Sequence, residues 1–155
     1  MNAQTVTRLA VHLASSLAAG AALATAPAAP DARLPEERQS GAVAWRSGGV
    51  GHEEAVAMIK AAKRYPLELV FVERQGQRDE YLAAVPLTIQ DAKGHVVFSG
   101  QSEGPYFLAR LPEGHYVVNT KWQEWSFTRA VDVGTENQRV VFQWKKDVLP
   151  ANTQA

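Results

Sequence analysis

From Leu67 to Lys145 the apolar residues recur with a period of two, and turn clusters break that period about every ten residues. The runs are LELVFVE (67–73), YLAAVPLTIQD (81–91), HVVFSG (95–100), YFLARL (106–111), HYVVNTKW (115–122), WSFTRAVDV (125–133) and RVVFQWK (139–145). Between them stand Asp91-Ala92-Lys93-Gly94, Glu103-Gly104-Pro105, Pro112-Glu113-Gly114 and Gly134-Thr135-Glu136-Asn137. Side chains alternate between faces along a strand, so such runs can bury one face and solvate the other. Short strands at this spacing predict a mainly β fold: an antiparallel sandwich of immunoglobulin or transthyretin type with about seven strands. Pro86 has no N–H to give to a ladder, which points to an edge or a bulge in its run.

Ahead of these strands the period is near four. HEEAVAMIKAAKR (52–64) places Ala55, Met58, Ile59 and Ala62 on one stripe, predicting one helix whose stripe packs on the core. Glu53 and Glu54 open it and Lys60, Lys63 and Arg64 close it, which suits the helix dipole at both ends. Tyr65-Pro66 stops it, because a residue before proline avoids the α region.

The two ends read differently. Residues 1–24 combine a polar start carrying Arg8, the alanine-rich run LAVHLASSLAAGAALA (9–24) and small residues at Ala22 and Ala24, the three-part pattern of a secretory signal peptide. His12, Ser15 and Ser16 and the weak hydrophobicity of alanine make this run a poor membrane anchor. The expected cut follows Ala24, since a cut after Ala26 would meet Pro27. Residues 25–41 hold three prolines, several charges and almost no large apolar group, so a disordered linker is expected there. Residues 148–155 read as a flexible tail, leaving 42–147 as one folded domain. The expected location is the periplasm or the exterior of the cell, with no stable membrane span once the signal is cut.

Pro112 fixes φ and Gly114 tolerates unusual φ, so LPEG reads as a tight reversal between two strands. Beyond it Tyr116, Val118, Thr120 and Trp122 share the expected core face, while His115, Val117, Asn119 and Lys121 share the other. The run VPLTIQDAKGHVVFSG, followed by GPYFLARLPEGHYVVNTKW, resembles the carboxypeptidase-regulatory-like domain. The likeness rests on a first strand closed by DAKG, a strand entering LPEG, and the spacing of Gly114, Tyr116 and Val118 over residues 83–144. It implies a transthyretin-like sandwich, grouped by fold with carbohydrate-binding and collagen-adhesin B-type modules. The named domain is the non-catalytic appendage of those peptidases, so the likeness implies no peptidase. Trp125, where the family often has a glycine or polar turn residue, and the helix at 52–64 depart from its pattern.

Chemistry-bearing motifs are scarce. The 155 residues contain no cysteine, which removes disulfides, thiolate catalysis and cysteine-ligated zinc. Sixteen basic residues balance sixteen acidic ones, and a neutral chain lacks the basic surface of a nucleic-acid binder. SGGVGHEE (47–54) suggests a phosphate loop, but Glu54 stands where a dinucleotide fingerprint needs glycine, and no Lys-Ser/Thr pair follows. Ser99 and Ser102 sit in no Gly-x-Ser-x-Gly elbow. Glu53/Glu54 and Asp79/Glu80 read as solvated faces. No enzyme motif and no cofactor site is expected.

The leading expectation is therefore an exported, non-catalytic binding or interaction module of the bacterial cell envelope, meeting an envelope protein or a glycan. Its candidate surface joins Trp122 and Trp125, which flank the predicted turn Gln123-Glu124, to Gly48, Gly49 and Gly51. The same tryptophans also suit a cross-strand staple over the core. The alternative is an envelope enzyme or metal-binding accessory protein whose site gathers the dispersed His52, His95 and His115.

Overall fold

The computed structural model describes residues 34–146. The expected signal peptide, the linker up to residue 33 and the tail at 148–155 lie outside the described residues. Ten strands and one helix are described: β1 (Arg38–Ser40), β2 (Val43–Gly48), α1 (His52–Ala62), β3 (Leu67–Gln75), β4 (Arg78–Tyr81), β5 (Pro86–Asp91), β6 (Val96–Gln101), β7 (Tyr106–Arg110), β8 (Gly114–Trp122), β9 (Trp125–Val133) and β10 (Gln138–Lys145). They form two sheets. One runs β1-β2-β7-β3-β10, with β4 also paired to β3; the other runs β6-β5-β8-β9. The sandwich with one helix near its N-terminal end is the expected class.

Seven of the ten strands are the seven expected runs. The additions are β1, β2 and β4, and β1 falls inside the expected linker, so the ordered chain begins before residue 42. One pairing departs from the antiparallel scheme: β10 lies parallel to β3, Gln138 opposite Leu67 through Lys145 opposite Arg74.

A third layer explains β3. Its residues Leu67–Glu73 are all buried. Leu67, Leu69 and Phe71 join Ile89, Val118, Phe107 and Phe142 in the core between the sheets. Val70 and Val72 point the other way, with Tyr106 and Leu108, against Met58, Ala61 and Ala62 of α1 and the following Tyr65. A strand covered on both faces reads as a nearly continuous apolar run, and LELVFVE is one.

The stripe of α1 is turned from the expected one. Ala57, Met58, Ala61 and Ala62 are buried, Ala55 is half-buried, and Ile59 is 50% exposed. Small alanines let the helix lie close on β2 and β7, and Ile59 is left on its flank. Pro86 also differs from expectation. It is the first residue of β5, an interior strand, where no ladder N–H is asked of it, while the register shift lies later, between Ile89 and Gln90. Leu82–Val85 carries the chain between sheets, with Ala84 at φ 56°.

The reversal between β7 and β8 is made by Leu111–Glu113, and Gly114 already pairs with Val133. Tyr116, Val118 and Thr120 are buried and Trp122 is half-buried, so the expected core face is the observed one. The Tyr116 hydroxyl returns to donate to the Pro112 carbonyl at 2.9 Å, so the ring that fills the core also closes the turn.

Candidate functional site

Trp122 and Trp125 are register partners across the turn Gln123-Glu124, with Gln123 at φ 52°. Facing residues of an antiparallel pair share a sheet face, yet the two rings meet different surroundings. Trp122 is half-buried against the core and its Nε1–H donates to Glu73 Oε1 at 3.3 Å. Trp125 is 42% exposed, and its carbonyl accepts a hydrogen bond from Trp144 Nε1 at 3.3 Å. Beyond Trp122 the hairpin leaves the inter-sheet core, and there Trp125, Phe127 and Trp144 wall a mostly apolar cleft of about 230 Å³. Phe127 meets Trp144 edge-on with centroids 5.2 Å apart.

The glycines serve the chain's own packing. The Glu54 carboxylate reaches back from the first turn of α1 to accept the N–H of Gly49 at 2.6 Å and, more distantly, that of Val50 at 3.4 Å. A Cβ on Gly48 would strike that carboxylate and the Pro35 ring, and one on Gly49 would strike the Tyr106 ring. Gly51, at φ 90°, is the N-cap, and its carbonyl accepts from Ala55 N at 3.0 Å. Gly48 and Gly51 border one cavity, beside Pro35 and Glu54, and Trp125 borders another. Glu54, read from sequence as half of a solvated pair, ties down the loop. The signal was its place three residues after the N-cap, where a glutamate folds back on preceding N–H groups.

The histidines do not converge. His52 opens α1, and His115 on β8 contacts Asp132 on β9. His95 faces Asp91, with Nδ1 and Oδ2 3.2 Å apart. Asp91 Oδ1 also accepts the N–H of Lys93 at 2.8 Å and of His95 at 2.9 Å, and the His95 N–H foremost holds the Asp91 carboxyl below its usual range. That is turn-building chemistry for DAKG. Among the described residues no three His, Asp or Glu side chains are placed to hold a metal ion.

A polar cluster that the sequence did not signal lies where the segment before β1 crosses the end of α1. The Glu37 Oε2 accepts from the Tyr65 hydroxyl and from Arg110 Nε at 3.3 Å, and Arg46 Nη2 stands 3.6 Å away. Arg46 Nε donates to the Tyr65 oxygen at 2.7 Å and its Nη1 to the Pro35 carbonyl at 2.6 Å. The Arg110 guanidinium lies 4.3 Å over the Tyr65 ring and donates to the Arg64 carbonyl at 2.7 Å. In the sequence Tyr65 marks only a helix stop, and Glu37 falls within the expected linker. The four residues sit in four separate segments, so no local spacing could join them.

No family model matches the chain, and no curated protein matches it. Among solved structures, GBS52, the minor pilin in the gram-positive pathogen Streptococcus agalactiae, is similar at 17% identity and a TM-score of 0.47. The likeness covers 57% of this chain and 47% of that one, so it spans about half the pilin's length. At that level it assigns neither function nor partner.

Proposed function

We propose that this chain is an exported, non-catalytic β-sandwich module of the bacterial cell envelope that binds an envelope protein or glycan through the tip of the β8–β9 hairpin. The observation that carries the reading is Trp125, which alone among the four tryptophans is exposed and which borders an apolar cleft with Phe127 and Trp144. A rigid aromatic anchor beside an apolar recess provides contact area at low entropic cost. Gly48 and Gly49 are spent on internal packing, which leaves the hairpin as the contact. Export is supported by the three-part pattern of residues 1–24. The likeness to the carboxypeptidase-regulatory-like domain over 83–144 is supported by its two turn motifs: Asp91 builds the DAKG turn and Tyr116 closes the LPEG turn.

Cross-linking in intact cells, followed by identification of what co-purifies, tests the contact. A folded Trp125→Ala protein is expected to lose the partners that the parent recovers, and equal recovery rejects the hairpin. Trp122→Ala is a poor probe, because it also removes the bond to Glu73. Export is checked by intact mass: the mature protein is expected to start near Thr25, and a cytoplasmic species keeping Met1 overturns it.

A further inference from the structure

We propose that Arg46, Tyr65 and Arg110 form a receptor for a phosphate-sized oxyanion, and that Glu37 occupies it as an internal ligand. Three donors from three segments converge on one oxygen, Glu37 Oε2: the Tyr65 hydroxyl, Arg110 Nε at 3.3 Å and, at the longer ion-pair distance of 3.6 Å, Arg46 Nη2. Each is also oriented by contacts that do not involve Glu37. Tyr65 is only 2% exposed, and its oxygen accepts from Arg46 Nε. Arg46 is further fixed by the Pro35 carbonyl and its side chain is 14% exposed. Arg110 is stacked on the Tyr65 ring and bonded to the Arg64 carbonyl. A planar guanidinium held in this way is a prepared seat for an anionic oxygen.

The occupant is itself partly open to solvent. Glu37 lies just outside β1, a strand of three residues, and its side chain is 33% exposed. It borders an open cleft of about 970 Å³ whose walls carry Arg46, Arg110, Lys60 and Arg64 against Glu36 and Glu37. Four cations face two carboxylates there, in a chain whose formal net charge is zero. That surplus suits a doubly charged group better than the single carboxylate now seated.

Inorganic phosphate, titrated at low salt into the purified protein and followed by the arginine Nε–H NMR signals of Arg46 and Arg110, tests the receptor. Emptying the seat by Glu37→Ala is expected to tighten phosphate binding by about tenfold or more, and adding Arg110→Gln to abolish it. Acetate is expected to bind the Glu37→Ala protein more weakly than phosphate does. A folded Glu37→Ala protein without saturable phosphate shifts overturns the proposal, as do shifts that survive Arg110→Gln. Acetate binding as tight as phosphate overturns the assignment to a doubly charged group. Should Glu37→Ala fail to fold, Glu37→Ser, whose side chain is also too short to fill the seat, takes its place with the same expected outcomes.

Discussion

Tyr116 does two separable things. Its ring sits in the inter-sheet core and its hydroxyl bonds the Pro112 carbonyl. Tyr116→Phe is expected to cost about 1 kcal/mol, the usual net worth of one hydrogen bond, while Tyr116→Ala costs about 3–5 kcal/mol through the lost ring and the cavity left behind. Urea unfolding of both variants checks the ratio, and equal losses would mean that the ring is not core. Glu37 makes a pH-dependent contribution. The Tyr65 hydroxyl chiefly holds its carboxyl below the ordinary value of 4.5, burial opposes this, and Arg110 and Arg46 reinforce it. The charged form is therefore favoured by folding. Its stabilising share is complete above the unfolded value near 4.5 and is lost as pH falls through the lower folded value. Glu37→Gln is expected to flatten the acid limb of stability against pH, measured as urea midpoints, and an unchanged limb would contradict the network.

At the scale of elements, α1 gives the sharpest contrast. Met58 is fully buried beneath the helix and its neighbour Ile59 is half exposed. Met58→Ala is expected to cost about 2–5 kcal/mol and Ile59→Lys within about 0.5 kcal/mol of nothing, read as shifts in the thermal midpoint. The helix was legible because its period and terminal charges agree. Its facing was not, because four alanines among its eleven residues leave the apolar stripe broad enough to be rotated. The seven apolar runs were legible as strands, since alternation is a local property. β1, β2 and β4 were not. β1 is three residues of RQS, β2 carries Arg46 on the face that meets the polar cluster, and all four residues of β4 are exposed. None of these offers the alternation that marks a half-buried strand. The candidate contact was half legible for a similar reason: sequence places Trp122 and Trp125 opposite one another, but only the packing shows that the core ends between them.

On the scale of the whole molecule, β10 completes both the first sheet and the core. It supplies Phe142 and Trp144, which are 0% and 2% exposed. A chain ended after Val133 is expected to show no cooperative unfolding transition and to bind a hydrophobic dye, whereas a native-like melt would mean that β10 is dispensable. The parallel pairing also sets an order of events. Glu68 and its partner Arg139 are 71 positions apart, so the edge of β3 opposite β4 and β7 is covered only when almost all of the domain is present. The β5–β6 and β8–β9 hairpins close over short loops and can form early. A chain that emerges N-terminus first thus delivers β3, apolar on both faces, long before β10 arrives to cover its edge. Until then that edge is open to other chains and to proteases, which makes the interval before β10 arrives the time when this protein most needs an escort.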